Sequence, residues 1–378
     1  MSHNRDYQIC SRCILDTSDY PDISFDINGV CDICIVHDSL LNKNVFKGAE
    51  GWEKLQEQLA IIKNKAQNRK YDCLLGISGG VDSSYLLYLL KEWNLRPLVV
   101  HVDSGWNSDI SVKNIETLLK SLQLDLFTYV INWEEIKDIQ LSFFKASVLD
   151  IDLPFDNIYV AVLYKIAAKH KIKHIITGHN FTTEGYLPPN FNHYKLDTLN
   201  LKDIHKKYGN IRHRSYPIIG PIKHWYYRNI LKIKIVFPLN YIDYNKSEVK
   251  DFLERNFKWK DYGGKHYENI FTRFYQGYIL PTKFNVDKRK GHMTSLICSG
   301  QITRDEAINE IKSSPYKDPV LLQRDKEFFI KKLDLTEDSF EQIMNNPIRL
   351  HTHYKSYINL FQKLRPLKTF FKKFIRQH

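Results

Sequence analysis

The sequence contains no apolar stretch that approaches the ~20 residues a helix needs to cross a bilayer. Its first residues, MSHNRDYQIC, also lack the basic-then-apolar pattern of a secretory signal peptide. Both absences argue against a membrane-embedded or secreted protein, and we expect a cytoplasmic one. Cysteine is scarce too, with six residues in the chain. A disulfide framework is therefore not expected.

The composition is otherwise that of an ordinary globular protein. Of the 378 residues, 43% are hydrophobic and 26% are charged, and we find no internal repeat or low-complexity segment. This length suffices for one large domain or for two to three smaller ones. A buried α/β core with appendages is the natural expectation.

Positive charge is unevenly distributed along the chain. The formal net charge is +12, and residues 351–378 contain seven Lys or Arg residues and no Asp or Glu. The rest of the chain therefore carries a net charge of +5, which is modest for a nucleic-acid-binding protein of this size. ATP and nucleotide sugars suit such a charge, and we do not expect nucleic acid as a partner.

Four of the six cysteines form two C-x-x-C pairs, Cys10 with Cys13 and Cys31 with Cys34, separated by 17 residues. Four thiolates at this spacing are typical of a tetrahedral, structural Zn²⁺ site with no open position for water. An iron–sulfur cluster or a redox dithiol is the alternative. Cys73 and Cys298 remain outside this set.

Beyond a first helical segment, apolar runs of strand length alternate with helical patterns. Strands are predicted at 71–77, 97–102, 125–132, 174–177 and 233–239, and helices at 84–93, 112–122, 159–169 and 246–256. This alternation predicts an α/β fold, a doubly wound and mostly parallel sheet, with ligands beyond the carboxyl ends of the strands. We predict a zinc-binding module with four cysteine ligands at 1–48, the α/β domain at 49–260, and substrate loops with a mostly helical C-terminal region at 261–378.

The first predicted strand runs directly into a glycine loop and a helix. The loop consists of Ser78, Gly79, Gly80, Val81, Asp82 and Ser83. Two glycines let backbone amides approach a phosphate closely, and the helix begins with its positive end there. Ser78 and Ser83 add hydroxyl groups, and Asp82 suits Mg²⁺. The Lys of a Walker A motif, which reaches the β- and γ-phosphates, is missing.

The SGG-x-D-S pattern resembles the PP-loop superfamily of ATP pyrophosphatases, which attack the α-phosphorus and release pyrophosphate. The resemblance implies catalytic roles for Asp82, Ser78 and Ser83. It places His101, Val102 and Asp103, at the end of the second strand, near the adenosine. A second phosphate- or metal-facing turn follows the later strand, and its residues are Gly178, Thr182, Thr183 and Glu184. No role is assigned to His179.

Further segments, including CSRCILDTSDYPDISFDINGVCDIC and YGGKHYENIFTRFYQGYILPTKFNVDKRKGHMTSLICSGQITRDEA, resemble the N-acetyl sugar amidotransferases of bacterial surface-polysaccharide pathways. The resemblance covers roughly residues 8–310. It implies conversion of an acetamido group of a nucleotide-activated N-acetyl sugar into an acetamidino group, with ATP, Mg²⁺ and Zn²⁺. Predicted substrate contacts are Lys265, Arg273, Lys283, Asp287 and Arg289; the alternative is a solvated basic loop.

The reaction needs ammonia, and the sequence offers no glutaminase nucleophile. Residue 2 is Ser where such an enzyme needs Cys, and no G-x-C-x-G motif is present. The resemblance implies a separate glutaminase subunit with a cyclase-like ammonia-channel subunit. The apolar and basic segment 351–378 either packs on the chain's own core, contacts that partner, or attaches weakly to a membrane surface.

Two other functions stay open. A tRNA thiolase also combines a zinc ribbon with this loop, although such enzymes generally need further cysteines near the active site. A scaffold or membrane-surface adaptor would use the basic C-terminal segment and would leave the SGGVDS loop unexplained.

Overall fold

Five short strands form the centre of the fold, and each lies within or close to a predicted one. They are β1 (Cys73–Gly76), β2 (Pro97–Asp103), β3 (Leu126–Val130), β4 (His174–Ile176) and β5 (Lys234–Val236). All neighbouring strands run parallel, in the order β3-β2-β1-β4-β5. The computed structural model describes residues 6–212, 214–264 and 266–363.

The two faces of the sheet bury different side chains, because successive residues of a strand point to opposite sides. Leu74 of β1 and Ile175 of β4 pack into one hydrophobic core, whereas Leu75 and Ile176 pack into the other. Helices cover both faces. The predicted doubly wound α/β fold is therefore confirmed.

Helices account for most of the remaining chain. In the part of the chain that the structure describes, they are α1 (Asp32–Asn44), α2 (Gly48–Lys65), α3 (Val81–Glu92), α4 (Asp109–Leu122), α5 (Trp133–Lys145), α6 (Leu153–Lys169), α7 (Thr198–Tyr208), α8 (Pro221–Trp225), α9 (Lys246–Phe257), α10 (Ile270–Phe274), α11 (Lys288–Cys298), α12 (Arg304–Lys312), α13 (Pro319–Lys332), α14 (Glu337–Asn345) and α15 (Tyr357–Lys363). Two π-helical segments, Tyr226–Ile230 and Tyr275–Phe284, continue α8 and α10, and 3₁₀ turns lie at Pro189–Phe191, Pro238–Tyr241 and His351–His353.

Of the four predicted helices, three lie between strands and correspond to α3, α4 and α6, and the fourth follows the last strand and corresponds to α9. Helix α6 begins earlier than predicted, with Pro154 in its first turn, where a missing N–H costs nothing. Helices α5 and α7 were not predicted. The segment 262–305, expected to be partly loop, is mostly helical from Ile270 onward, and Phe271 and Phe274 lie fully buried in the core there.

The cysteine-containing segment packs against the C-terminal part of the chain. Lys290 of α11 forms ion pairs with Asp16 and Asp19 at 3.0 and 2.8 Å. The guanidinium group of Arg304 donates to the backbone carbonyls of Cys10 and Cys13. The first and third predicted units are thus in direct contact, and their boundaries stay a prediction.

The basic segment 351–378 is described as far as residue 363. Tyr354 is buried and its hydroxyl donates to the carbonyl of Ala146, whereas Leu360 and Phe361 of α15 are exposed. Phe370, Phe371 and Phe374 lie outside the described residues. Of the helices that the structure describes, none combines the length and apolar character needed to cross a membrane.

Candidate active site

The glycine loop lies between the carboxyl end of β1 and the first turn of α3. Gly79 has φ +81°, and a Cβ atom there would lie 2.6 Å from the carbonyl oxygen of Ser111 in α4. Only glycine suits both the backbone angle and this close approach. The sequence pattern therefore fixes how closely the loop packs on the next βα unit.

Hydroxyl groups surround the backbone amides of the loop. The amide of Gly80 donates to Ser78 Oγ at 3.2 Å, and that of Val81 donates to the hydroxyl of Tyr262 at 3.2 Å. Ser83 Oγ donates to the carbonyl of Gly80 and lies 3.3 Å from Ser78 Oγ. Amides and hydroxyls at one helix N-terminus form a cradle suited to phosphate oxygens.

Asp82 belongs to both the loop and the first turn of α3, and three polar side chains surround its carboxylate. Tyr244 donates its hydroxyl to Oδ1, and Asn180 Nδ2 lies 3.5 Å from the same oxygen. Lys246 Nζ lies 3.9 Å from Oδ2. Burial and then the charge of Asp82 raise the pKa of Tyr244 well above its usual value. Tyr244 therefore stays protonated and remains a donor to Asp82.

The turn after β4 lies against the glycine loop. A Cβ atom at Gly178 would lie 2.8 Å from the backbone carbon of Asp82, so the two turns meet closely because residue 178 is glycine. Thr183 donates to the side-chain oxygen of Asn180, which keeps that amide beside Asp82. His179 Nδ1 lies 2.7 Å from Glu184 Oε2, and this contact gives the unassigned histidine a partner.

A cavity of about 280 Å³ opens above these two turns. Most of the predicted nucleotide-binding residues line it, namely Ser78, Gly80, Asp82, Ser83, His101, Val102, Gly178 and Glu184. The remaining ones do not line it, namely Gly79, Val81, Asp103, Thr182 and Thr183. The carboxyl ends of β1, β2 and β4 thus converge on one site, as expected for a parallel sheet.

His101 and Asp103 are linked through Asn107. Asn107 Nδ2 lies 2.9 Å from Asp103 Oδ1 and 3.1 Å from His101 Nε2. Because an amide NH₂ only donates, Nε2 accepts, and the proton of the neutral ring is on Nδ1, which lies 3.0 Å from the carbonyl of Ile77. Asp103 therefore orients other cavity residues and does not line the cavity.

Two buried polar atoms in the cavity wall lack a protein partner among the described residues. They are Ser104 Oγ and Glu268 Oε2. Burial alone would raise the pKa of Glu268, but His266 and Lys246 hold it below the usual value. An ionised Glu268 and Asp82 provide oxygen ligands of the kind that Mg²⁺ prefers, and the phosphate cradle lies beside them. The donor set fits a magnesium nucleotide.

A second cavity of about 640 Å³ adjoins the first. His179, Glu184 and Glu268 line both cavities, so ligands in the two would lie next to each other. The wall of the second cavity includes Lys288, which is only 5% exposed. No carboxylate lies within salt-bridge distance of its ammonium group in the described part of the chain. A buried cation of this kind suits an anionic ligand.

Carboxylates line the same cavity as this lysine. Asp152 is 6% exposed and lines the second cavity with Asp156. Burial and then the charge of Asp156 raise the pKa of Asp152 to about 7. Lys195 binds Asp156 at 2.7 Å and the buried Asp150 at 2.6 Å. Asp152 therefore exchanges a proton near neutral pH, which suits general acid–base chemistry.

Four of the residues predicted to contact the substrate form contacts within the protein, and their role in substrate binding stays a prediction. Arg273 is buried and binds Asp325 through two hydrogen bonds of 2.6 and 2.7 Å. Lys283 donates to three backbone carbonyls at the end of α14. Neither side chain lines the two cavities.

Asp287 and Arg289 are likewise engaged with the protein itself. Asp287 caps α11 and accepts from the guanidinium group of Arg289, which also donates to the carbonyl of Ser313. Arg289 lines a third, smaller cavity, whose wall shares Lys288 with the second one. Lys265 lies outside the described residues. Arg273, Lys283, Asp287 and Arg289 all have partners within the protein, which differs from the solvated basic loop considered as the alternative.

The cysteine cluster has the geometry of a metal site. The sulfur atoms of Cys10, Cys13, Cys31 and Cys34 all lie within 4.8 Å of one another, and all four residues are buried. Backbone amides of Cys13 and Cys31 donate to Cys10 Sγ. None of the four cysteines lines either cavity, although Tyr186 of the second cavity packs against the cluster. The residues fit a closed four-thiolate site.

Neither remaining cysteine reaches the candidate active site. Cys73 is fully buried in β1. Cys298, at the end of α11, has its sulfur 3.7 Å from that of Cys34. Among the described residues, no cysteine lines either cavity.

Comparison with known proteins identifies relatives. A tRNA-specific 2-thiouridylase of Fusobacterium nucleatum is 25% identical over 291 residues, which cover 71% of this chain and 80% of that protein. An uncharacterised protein of Methanocaldococcus jannaschii is 26% identical over 176 residues, 45% of this chain, and the chain spans only 58% of that relative. A solved NH3-dependent NAD synthetase of Campylobacter jejuni, 16% identical, aligns with 74% of this chain and 94% of its own, with a TM-score of 0.29.

The C-terminal region matches a known family. Residues 268–365 match the family described as LPS biosynthesis protein WbpG-like, C-terminal domain. This segment overlaps the run of residues on which the resemblance to the sugar amidotransferases depends. Residues 268–365 are therefore similar to the C-terminal domain of the WbpG-like proteins of lipopolysaccharide biosynthesis, and membership of the whole chain in the PP-loop superfamily stays a prediction.

Proposed function

We propose that this protein is an ATP-dependent amidotransferase that converts the acetamido group of a nucleotide-activated N-acetyl sugar into an acetamidino group. The observation that carries the proposal is the direct junction of two cavities. One contains the phosphate cradle and the carboxylates of Asp82 and Glu268, and the other contains the buried cation of Lys288. A nucleotide and an anionic second substrate would meet at this junction.

The first cavity would hold ATP. The glycine loop and the hydroxyls of Ser78 and Ser83 bind the phosphates, and the ammonium group of Lys246 adds a positive charge beside Asp82. Asp82 and Glu268 would hold Mg²⁺, which neutralises the pyrophosphate leaving group. Without a Walker lysine, the γ-phosphate has no dedicated activator, and attack at the α-phosphorus is favoured.

The reaction needs two displacements. The amide oxygen of the acetamido group attacks the α-phosphorus, forming an O–P bond while pyrophosphate leaves. Ammonia then adds to the imidate carbon, and AMP leaves with the former amide oxygen. The nitrogen loses a proton in the second step, and Asp152, with a pKa of about 7, is the proposed base. Lys288 would bind a phosphate or carboxylate of the sugar nucleotide.

Ammonia would come from a separate glutaminase, with a cyclase-like subunit as the proposed channel. The positions of Cys73 and Cys298 support this part of the proposal, since glutamine hydrolysis by a cysteine nucleophile requires a thiol at the site. Cys73 is enclosed in β1, and Cys298 lies at the four-cysteine cluster.

A tRNA thiolase is the second candidate, because the F. nucleatum thiouridylase matches most of this chain. Sulfur transfer by a persulfide or cluster would need a cysteine beside the nucleotide. The lack of a cysteine in the walls of both cavities, within the described residues, favours the amidotransferase.

The test is mass spectrometry of candidate nucleotide-activated acetamido sugars incubated with the protein, ATP, Mg²⁺ and ammonium. We expect replacement of one acetamido oxygen by NH, with equimolar AMP. Parallel incubations of tRNA with ATP and sulfide provide the comparison. Sulfur incorporation into tRNA without any change in the sugars would favour the second candidate.

A further inference from the structure

A long acid-free segment lies outside the candidate active site. Residues 204–242 contain eight Lys or Arg residues and no Asp or Glu. The segment includes the aromatic, basic stretch 208–230, α8 with its π-helical continuation, and edge strand β5. None of its residues lines the two cavities assigned to the nucleotide and the sugar.

The helical part of this segment has one buried and one exposed side. Tyr227 is buried, and its ring stacks on Tyr164 of α6 with 5.2 Å between centroids. The other side exposes four large apolar residues at helical spacing: Ile222 (80% exposed), Trp225 (56%), Tyr226 (45%) and Ile230 (54%). An exposed apolar cluster of this size marks an interaction surface.

A cationic recess adjoins this cluster at Ile230. The recess has a volume of about 230 Å³, and its wall consists of Lys65, Arg69, Lys173, Lys232, Ile230 and Leu231. In the described residues, none of the four cations forms a salt bridge. Burial and then the charges of Arg69, Lys232 and Lys65 lower the pKa of Lys173. Four like charges around one recess are complementary to an anionic group.

We propose that the surface formed by Ile222, Trp225, Tyr226 and Ile230 with this recess docks on a bilayer rich in anionic phospholipid. The apolar side chains would enter the interface, where Trp and Tyr are favoured. A lipid phosphate would occupy the cationic recess. This inference does not depend on the proposed reaction.

The position of the surface in the fold supports a bilayer as the occupant. Lys173 precedes β4 and Lys232 precedes β5, so the recess lies at the amino ends of the strands. The turns of the candidate nucleotide site follow the carboxyl ends of the strands, at the opposite end of the sheet. Docking through this surface would leave the active-site cavities open to soluble substrates and to a glutaminase.

Vesicle sedimentation of the full chain tests the proposal, with phosphatidylcholine vesicles prepared with and without phosphatidylglycerol. We expect binding only when phosphatidylglycerol is present. Lys173→Gln with Lys232→Gln should weaken it by about tenfold or more. The pair Lys113→Gln with Lys120→Gln, exposed on α4, removes the same charge elsewhere and should leave binding nearly unchanged. Ile222→Ser with Trp225→Ser tests the apolar part and should also reduce binding.

Absence of binding by the unmodified chain would overturn the proposal. An equal loss of vesicle binding in the two double-lysine variants would overturn it as well, since binding would then depend only on the net charge of the protein. Unchanged binding by the Ile222→Ser, Trp225→Ser variant would overturn it too, by assigning membrane contact to another segment. Thermal unfolding of each variant, expected to match the unmodified chain, excludes loss of fold as the cause.

Discussion

The hydroxyl group of Tyr244 donates a hydrogen bond to the carboxylate of Asp82, and this contact joins the segment after β5 to the first turn of α3. Asp82 has no such contact with a guanidinium group among the described residues, and the ammonium group of Lys246 lies 3.9 Å away. The carboxylate is therefore oriented by the Tyr244 hydroxyl and paired only at long distance with Lys246. This arrangement suits a carboxylate that holds a metal nucleotide.

Asp82→Asn should reduce turnover by about 100-fold or more, because it removes a charge that faces the phosphates. The shape of the side chain is kept, so thermal unfolding should stay close to that of the unmodified protein. Tyr244→Phe, which removes only the orienting hydroxyl, should cause a smaller loss. If Asp82→Asn were as active as the unmodified protein, Asp82 would have no role in turnover and would only stabilise the turn.

The four-cysteine site should hold one tightly bound Zn²⁺ that stabilises the fold. Cys31→Ser should lose the metal and lower the melting temperature, because binding free energy at such a site is folding free energy. Metal analysis and thermal unfolding measure both effects. Cys298→Ser is the matched control and should retain one zinc. A folded but inactive Cys31→Ser variant would contradict a purely structural role.

Two lysines of the C-terminal region should respond differently to substitution: Lys288 lines a cavity, whereas Lys283 binds backbone carbonyls. Lys288→Met should raise the KM for the sugar nucleotide by about 10- to 100-fold, because losing one charge-assisted hydrogen bond weakens binding by about that factor. Its stability should fall only slightly, because Lys288 forms no salt bridge among the described residues and Asp150 keeps its ion pair with Lys195. Lys283→Met should instead lower stability and leave KM unchanged, because Lys283 satisfies three carbonyls of the protein. The reverse pattern would exclude Lys288 from the substrate site.

Asp152 should make both activity and stability depend on pH. Its pKa is raised from 3.8 to about 7 in the folded protein, so the native state retains a proton that the unfolded state has lost. The stabilising contribution is complete below pH 3.8 and is lost as the pH rises through about 7. Asp152→Asn should therefore be more stable than the unmodified protein above pH 7.

The same group gives the kinetic signature. For the unmodified protein, kcat/KM should rise through an apparent pKa near 7, and Asp152→Asn should lose that rise. Asp156→Asn removes the neighbouring negative charge and should shift the inflection to lower pH. An unaltered pH profile in both variants would exclude Asp152 as the base.

The sequence predicted the part of the site that depends on the local chain. Gly79, Ser83 and Asp82 lie in one strand–loop–helix unit, so their placement needs no information from distant segments. The sheet was predictable for the same reason, because strand and helix periodicity are local. The positions of Gly178 and Glu184 could be predicted only from the rule that the turns after parallel strands meet at the carboxyl ends of those strands.

The second cavity could not be predicted in this way. Arg273 and Lys288 lie in the same basic run, and only tertiary packing decides that one is paired with Asp325 and the other faces a cavity. The segment that contains them looked like a loop because glycines and charges interrupt its apolar pattern. Its helices are stabilised by Phe271 and Phe274 against the core. Sequence spacing carries no signal for such long-range pairing.

The central claim is that the acetamido oxygen attacks the α-phosphorus of ATP. Substrate labelled with ¹⁸O in the acetamido carbonyl tests it directly, with ³¹P NMR or mass spectrometry of the released nucleotide. The account predicts one ¹⁸O atom in AMP for each acetamidino group formed, and unlabelled pyrophosphate. Formation of ADP and orthophosphate, or AMP free of ¹⁸O while the acetamidino product accumulates, would contradict it.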